Sequence, residues 1–334
     1  MLPLQKNYNI TSNEITSLLK PHYTNLLQAF YESQSSFLCG IYKKYKSIET
    51  ANIILCFSRS VHLEIIRQRE KDLNYNVSLN NFLKNYNTIN RPNVKITSVV
   101  KITGIPKETV RRKIKFLAET GFLIKDKKSR GYHWEFPEKE KETFFNIIDC
   151  ETKNLSVFIS KIINDLGIKI DRKKIEKEIQ SQFSFYWYHY LSCQLEWLKW
   201  WQLKLKDNDL TLIALQTTIP TLRYAERNIG TINSDNVFKI IGQVDKAEHK
   251  NCAVSATSVS DITGIPRATC IRKLDKLVNL GFLTREYETK RYSVNQSYDA
   301  RTRNFLNKDS VSFTIKTFSE YIAIILNSLF QKKL

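Results

Sequence analysis

The chain has 334 residues, of which 42% are hydrophobic and 25% are charged, a composition typical of a soluble globular protein with two domains or one large duplicated domain. Its formal net charge of +19 favours a nucleic-acid partner over an anionic membrane surface. The sequence contains no run of about 20 apolar residues and begins without the blocks of a signal peptide, so we expect neither a membrane protein nor a secreted one.

The sequence also lacks the residue patterns of common catalytic and metal sites. Its six cysteines are scattered without a Cys-x-x-Cys spacing, as is typical of reduced thiols in the cytoplasm. The five histidines show no pairing at zinc-site spacing, and no glycine-rich phosphate loop or Gly-x-Ser-x-Gly motif is present. We therefore expect a cytoplasmic protein that is not an enzyme and holds no metal or other cofactor.

Helices are predicted for most of the first ninety residues. Aromatic and aliphatic residues lie among polar ones over residues 14–46, which predicts one or two amphipathic helices with Pro21 near a start. Two further helices are predicted over residues 49–72 and 78–87. Residues 90–93, with the sequence Asn-Arg-Pro-Asn, then break the helical pattern.

Residues 97–134 are predicted to form a short helix, a tight turn, a longer helix and a β-hairpin. Thr97 is expected to cap the short helix. Gly104 supplies the turn, because glycine adopts backbone angles that other residues avoid. Pro106 falls where the second helix begins, a position at which its missing N–H costs nothing.

The longer helix carries an apolar stripe at helical spacing, formed by Val110, Ile114 and Leu117. Gly121 is expected to end this helix, as a glycine at the C′ position does. A Phe-Leu pair then begins a strand, a polar tip follows, and Tyr132 opens the return strand. This stretch therefore predicts one helical face turned toward a core and one basic face turned outward.

The same series occurs a second time in the later part of the chain. Residues 262–294 align with residues 102–134 without a gap and share 13 of 33 residues, including four of the chain's nine glycines and two of its seven prolines. This agreement in register indicates an internal duplication that sets the architecture. The corresponding residues of the second copy are the cap Thr257, the turn Gly264, the helix start Pro266, the stripe Cys270, Leu274 and Leu277, and then Gly281 and Tyr292.

The remaining segments follow the same order in both halves of the chain. Residues 167–174 are the predicted joint between the halves, and Pro220 is a predicted kink in a helix of the second half. The aromatic helix over residues 180–206 corresponds, in the register of the duplication, to the similar but less aromatic stretch over residues 20–46. Helices are predicted over residues 155–166, 180–206, 209–228, 235–244 and 313–329.

The strings ITGIPKETVRRKIKFLAETGFL and ITGIPRATCIRKLDKLVNLGFL resemble the helix-turn-helix core of MarR-, IclR- and GntR-type bacterial transcription regulators. The resemblance implies winged helix-turn-helix units over about residues 78–136 and 235–296, in a first half of residues 1–170 and a second half of residues 171–334. The predicted fold class is mainly α with small β-hairpin wings. Duplicated winged helix-turn-helix units would lie on helical scaffolding as a pseudo-dimer in one chain.

In a winged helix-turn-helix unit the second helix enters the major groove, where its outward residues meet base edges. Arginine forms bidentate hydrogen bonds with guanine, and threonine packs against the thymine methyl group. The predicted base contacts are therefore Arg111, Arg112, Arg272, Thr109 and Thr269. Contacts to phosphates or to the minor groove are predicted for Lys107, Lys113, Lys115, Lys127, Lys128, Arg130, Arg267, Lys273, Lys276, Lys290 and Arg291.

Each of these cations also has a plainer interpretation as part of a solvated surface. Lys113 and Lys273 in particular could lay their stems over neighbouring helices. Residues 101–130 contain ten basic and three acidic residues, whereas residues 261–291 contain seven basic and four acidic ones. The first copy is therefore expected to bind DNA more strongly. Because the outward residues differ, either the two copies read different sequences or the second copy is a structural partner that does not contact DNA.

The sequence thus predicts a sequence-specific double-stranded DNA-binding protein associated with the nucleoid, and a transcriptional regulator in particular. A plasmid-type replication initiator also carries two winged domains in one chain, and a winged-helix protein-interaction scaffold is the alternative from a different class. The aromatic helix over residues 180–206 is interpreted as a core or interface helix rather than an effector pocket, so a small-molecule effector stays undecided. The chain acts either as a monomeric pseudo-dimer or as a homodimer.

Overall fold

The computed structural model describes residues 9–135, 137–165, 167, 170–236, 250–295 and 308–331. Over these residues the protein is mainly helical and has two small antiparallel β-hairpins. The predicted fold class is confirmed at this level.

The helices before the first hairpin are α1 (Ser12–Leu19), α2 (Gln28–Tyr45), α3 (Ile48–Lys71), α4 (Leu79–Asn85), α5 (Ile96–Thr103) and α6 (Lys107–Glu119). A capping box of Thr11 and Glu14 starts α1. One π-helical turn, Tyr23–Leu27, precedes α2. The amphipathic stretch predicted over residues 14–46 is therefore two helices with a π-helical turn between them.

The later helices are α7 (Lys141–Asp165), α8 (Arg172–Ser181), α9 (Phe183–Leu205), α10 (Asn208–Asn228), α11 (Ala256–Thr263), α12 (Arg267–Asn279) and α13 (Lys308–Gln331). In the first hairpin, β1 (Leu123–Lys125) pairs antiparallel with β2 (Tyr132–Trp134). In the second hairpin, β3 (Leu283–Arg285) pairs in the same register with β4 (Tyr292–Val294).

The duplicated stretches have the same elements at equivalent positions. In the register of the duplication, α11, α12, β3 and β4 begin and end at the counterparts of the residues that bound α5, α6, β1 and β2. We name residues 94–134 the first helix–hairpin segment and residues 254–294 the second. In the first segment Val94 pairs with Tyr132 as an isolated bridge, and the second segment contains the equivalent bridge. Each hairpin is thereby tied to the residue that lies two positions before the segment's first helix.

The predicted caps of the short helices are wrong. Thr97 and Thr257 lie inside α5 and α11, which begin after Lys95 and Ser255. The bridge to the hairpin holds Val94 or Val254 in extended backbone. Each helix then begins two residues after that valine, which is before the predicted threonine cap. Only Ser255 uses its side chain as a cap, accepting a hydrogen bond from a backbone N–H in the first turn.

Other helices differ in length from their predictions. The helix predicted over residues 155–166 is α7, which begins earlier because residues such as Phe144 are buried and extend its apolar face. The closing helix, α13, is longer than the predicted 313–329. Part of the predicted joint is helical, since α8 begins at Arg172. The helix predicted over residues 235–244 lies, from residue 237 onward, outside the described residues.

Contacts within the chain divide it into two compact units that do not coincide with the two predicted halves. Among the described residues, unit 1 contains residues 49–206 and 324–331, and unit 2 contains residues 10–48 and 207–323. α8 and α9 of the second half belong to unit 1, where they pack on α7 and α5. α1 and α2 of the first half belong to unit 2, where α2 packs on α10 and α11. The two halves have therefore exchanged their N-terminal helices.

The exchange occurs at two equivalent corners of the chain. Lys46 follows α2 with a φ of 54°, and Lys206 follows α9 with a φ of 57°. The Lys46 N–H donates to the Tyr42 carbonyl at 2.7 Å, and the Lys206 N–H donates to the Gln202 carbonyl at 2.9 Å. The left-handed conformation costs a residue with a β-carbon about 1–2 kcal/mol, so packing of the helices on either side must impose these corners.

The aromatic helix α9 lies in the core of unit 1. The Trp187 ring stacks on the rings of Phe183 and Tyr190, with centroid distances of 5.5 and 5.0 Å. His62 of α3 packs edge-on against Phe183 at 5.3 Å. Burial lowers the pKa of His62 to about 3, so this side chain is neutral at physiological pH. The aromatic stripe is therefore core packing.

Candidate nucleic-acid interface

A threonine closes the turn between the two helices of the first helix–hairpin segment. Its hydroxyl, on Thr103, donates to the Val99 carbonyl at 2.8 Å and accepts from the Ile105 N–H at 3.2 Å. Gly104 caps α5 at a φ of 68°, and a β-carbon there would lie 3.3 Å from the Leu203 side chain. Glycine at this position lets the turn rest directly on α9.

The second segment has the same turn, which lies against α2. The Thr263 hydroxyl donates to the Val259 carbonyl at 2.7 Å and accepts from the Ile265 N–H at 3.1 Å. Gly264 has a φ of 75°, and a β-carbon there would lie 3.1 Å from Cγ of Lys43. Each turn is thus held by a helix that the chain contributes from its other half.

α6 directs its apolar stripe into the core, as predicted. Val110, Ile114 and Leu117 are fully buried. The helix ends as predicted as well, with Gly121 at C′ and a φ of 82°. The Phe122 N–H then donates to the Leu117 carbonyl at 2.8 Å, which closes a Schellman motif. The burial of one face and the firm end of the helix fix which side chains point outward.

On the opposite face, α6 exposes the cations Lys107, Arg111, Arg112 and Lys115. An Arg111 guanidinium nitrogen lies 3.4 Å from the carboxylate of Glu108, and the Lys115 ammonium lies 3.8 Å from that of Glu119. Exposed pairs at such distances are weak and are screened by salt. The other two cations form no ion pair within the described part of the chain, so this face keeps most of its positive charge.

The tip of the first hairpin is also cationic. The Asp126 carboxylate accepts hydrogen bonds from the Lys128 N–H at 2.7 Å and from the Ser129 hydroxyl at 3.0 Å. These bonds hold the pKa of Asp126 below its usual range and shape the turn. Arg130 completes the turn with a φ of 54°. Lys127, Lys128 and Arg130 are exposed and form no ion pair among the described residues.

The second segment exposes fewer cations on its longer helix. Arg267, Arg272 and Lys276 are exposed on α12. Nε of Arg267 donates to the Thr257 hydroxyl of α11 at 3.0 Å, which holds the guanidinium beside the start of the helix. The cationic face of α12 is therefore narrower than that of α6.

A carboxylate links α12 to its hairpin. Asp275 accepts a hydrogen bond from the Tyr292 hydroxyl at 2.9 Å, and a guanidinium nitrogen of Arg285 lies 3.4 Å from the same oxygen. Burial, reinforced by the Asp275 charge, raises the pKa of Tyr292 to about 12. The Arg285 guanidinium also lies over the Tyr292 ring, 5.3 Å from its centroid. This arrangement braces β3 and β4 against α12.

The tip of the second hairpin combines cations with an exposed aromatic ring. Lys290 and Arg291 are exposed, and Lys290 has a left-handed φ of 57°, close to the 54° of its counterpart Arg130 in the first hairpin. The Tyr287 side chain is 85% exposed. The Lys290 ammonium lies 4.1 Å from the Tyr287 ring centroid, within the range of a cation–π interaction.

Four of the predicted contact residues, Thr109, Lys113, Thr269 and Lys273, are only partly exposed. Thr109 and Thr269 are half-buried near the starts of α6 and α12. The Lys273 ammonium lies 2.6 Å from Asp207 and 3.6 Å from Asp209, and its side chain is 12% exposed. Its charge is already paired, so Lys273 is not part of the proposed interface.

The first segment contains the counterpart of this buried pair. The Lys113 ammonium donates to the Thr50 hydroxyl at 3.0 Å and lies 3.6 Å from the Glu49 carboxylate. Glu49 and Asp209 occupy equivalent positions of the duplication. In both copies, therefore, the lysine at this position forms an ion pair that links the longer helix to the helix on which it packs.

The structure adds exposed residues that the sequence analysis did not single out. Lys95, Lys101 and Lys125 are exposed cations of the first segment. Tyr287 and Arg285 of the second hairpin were not singled out either. Strand alternation would not have identified Lys125, because it places this residue on the same face as the buried Leu123.

Some site types are not present in the described ranges. No helix there is long and apolar enough to cross a membrane. The His, Cys, Asp and Glu side chains of those ranges form no group of three or more that could hold a metal ion. All six cysteines are free thiols, and Cys270 lies in the core as predicted.

Comparison of the chain with protein-family models, with curated proteins and with solved structures found no match. The geometry and charge of the two helix–hairpin segments are therefore the features of this chain that bear on its function.

Proposed function

We propose that the protein binds double-stranded DNA sequence-specifically through two winged helix-turn-helix units, which act as a pseudo-dimer in a transcriptional regulator. One observation carries the proposal. Twice in the chain, a helix with one buried apolar face and one exposed cationic face follows a glycine turn and precedes a hairpin with a cationic tip. In this proposal α6 and α12 enter major grooves, and the hairpins are the wings.

The exposed charges divide into two roles under this proposal. Arg111, Arg112 and Arg272 would fork onto base edges, because they project from the outward faces of the two longer helices. Lys107 and Lys115 of α6 and the cations of both hairpin tips would contact phosphates, which position the protein without specifying sequence. Neighbouring cations repel one another when no anion is present, and a phosphate backbone relieves that repulsion.

A binding measurement with matched variants tests the proposal. Random-sequence duplexes would be selected on the intact protein at low and at physiological salt, and the enriched motif measured by fluorescence anisotropy. Loss of a bidentate arginine contact costs about 1–3 kcal/mol, so Arg111→Ala with Arg112→Ala should weaken binding at least about 10-fold. The control, Lys173→Ala with Lys174→Ala, removes the same charge from exposed positions of α8, outside both segments.

We expect the control to bind nearly as well as the unaltered protein. If both double variants lose affinity equally, the binding depends only on net charge and the reading helices are not involved. If no duplex binds at low salt, the protein does not bind DNA, and the cations of both segments form a solvated surface.

A further inference from the structure

The two helix–hairpin segments have the same backbone structure but different exposed side chains. Their helices and strands have equal lengths, their glycine turns have φ values of 68° and 75°, and both keep the lysine that pins the longer helix. Proteins that read palindromes present the same side chains to both half-sites, because symmetric copies meet symmetric bases. Where two segments have the same backbone structure, a difference in their exposed side chains therefore changes which DNA sequence each segment recognises.

Three differences between the outward faces of α6 and α12 lie within about two turns. A further difference, Phe116 to Lys276, places a cation on the second helix only. Arg111 is replaced by Ile271, and Glu108 is replaced by Ala268. Ile271 is partly buried, whereas Arg111 is exposed. A guanidinium that can fork onto guanine thus has an aliphatic side chain as its counterpart, and the two helices cannot make the same base contacts.

The third difference changes the role of the position as well as its charge. Lys115 is exposed on α6, whereas its counterpart Asp275 is bound by the Tyr292 hydroxyl and by Arg285. In the first segment the position equivalent to Arg285 is Lys125, which cannot form such a brace with another lysine. The second helix has therefore exchanged a cation for a structural contact to its own hairpin.

The hairpin tips differ in the same direction. The first tip has the sequence Asp-Lys-Lys-Ser-Arg, whereas the second has Glu-Tyr-Glu-Thr-Lys. The exposed Tyr287 ring, with the Lys290 ammonium above it, stands where the first tip carries Lys127. The first tip is suited to phosphates, while the second combines fewer cations with a ring.

We propose that the two segments read unlike sequences, so that the target is a duplex with two different half-sites and not a palindrome. The first segment supplies most of the salt-sensitive affinity, and the second adds a different short motif through Arg272 and its neighbours. This inference rests on the proposed DNA-binding function and specifies the class of site that it requires.

Selection from a randomised duplex library tests this inference on the intact chain. A second arm uses the variant Ala268→Glu with Ile271→Arg, which gives α12 the first segment's residues but leaves Asp275 and its brace intact. For the unaltered protein we expect two unlike motifs in one site. For the variant we expect the first motif unchanged and the second shifted toward the first. Arg272→Ala should abolish only the second motif, and equal unfolding midpoints would show that each variant is folded.

The composite site should also bind at least about 10-fold more tightly than a duplex carrying the same half-site twice, the discrimination given by one good base contact. Enrichment of two copies of one motif, in either orientation, would overturn the inference and leave DNA binding standing. So would a single motif that neither change on α12 affects, because the second segment would then read nothing. Failure of every duplex to bind at low salt would instead reject the proposed function.

Discussion

A buried carboxyl group in unit 1 gives a quantitative prediction about stability. Glu151 of α7 is 4% exposed, and its oxygens accept hydrogen bonds from Tyr190 and Asn154, both at 3.3 Å. No cation pairs with it among the described residues. Burial raises its pKa from 4.5 to about 7, although the two hydrogen bonds partly offset this rise. At the equivalent positions of unit 2, the side chains of Phe30 and Val311 are apolar and buried.

The sign of the pH dependence follows from the raised pKa. Below about pH 4.5 the carboxyl is protonated in both the folded and the unfolded protein, so its burial does not lower the free energy of unfolding. Between about pH 4.5 and pH 7 the unfolded chain loses the proton while the folded protein keeps it, so the free energy of unfolding falls. A difference of about 2.5 pKa units corresponds to a loss of about 3 kcal/mol, which is complete above pH 7.

The variant Glu151→Gln keeps the shape of the side chain and removes its charge. We expect urea denaturation to show it more stable than the unaltered protein by about 1–3 kcal/mol at pH 8, and nearly equal at pH 4.5. Glu142→Gln, at an exposed position of the same helix, is the control and should change the free energy of unfolding little at either pH. A stability gain that is the same at pH 4.5 and pH 8 would refute the linkage, because a charge cost must disappear when the carboxyl is protonated.

Two further predictions concern the corners and the buried ion pair. Lys46→Gly and Lys206→Gly should each raise the free energy of unfolding by up to about 1 kcal/mol, because glycine adopts the left-handed conformation without strain; an unchanged or lower urea midpoint would contradict the left-handed corners. Lys273→Met should lower the free energy of unfolding by about 2 kcal/mol, since it leaves two carboxylates without their cation, and DNA affinity measured on the folded variant should stay within about twofold. A large loss of affinity with full stability would return Lys273 to the interface.

The helix–hairpin segments could be predicted from sequence because their signals are local. Gly104 and Gly121 mark a turn and a helix end at fixed offsets, and the apolar stripe of the helix between them has a helical period. The outward face then follows from the stripe, so most of the proposed contact residues are indeed exposed. Lys273 differs because its partners Asp207 and Asp209 lie far earlier in the chain, and a pairing over that separation leaves no local pattern.

The exchange of helices between the halves could not be predicted, also for a physical reason. In unit 2, α2 packs on α10, whose counterpart in the first half is α3. The two helices have similar apolar patterns because the sequence is duplicated, so periodicity does not show which of them α2 packs on. The corners give no sequence signal either, because Lys46 and Lys206 adopt a left-handed conformation that is not typical of lysine. A glycine at either position would have been a recognisable signal.

The presence of both copies in one chain allows their two surfaces to differ, and the exchanged helices are compatible with an origin from two separate chains. Gly104 packs against Leu203 and Gly264 packs against Lys43. The glycine turn of each half therefore packs on a helix from the other half. Swapped N-terminal helices are a common way for two identical chains to form a dimer, and joining those chains end to end would leave this arrangement in one molecule. Two separate but identical chains must change both surfaces at once. In a fused chain each copy changes alone, so Asp275 could become a brace while Lys115 remained a cation.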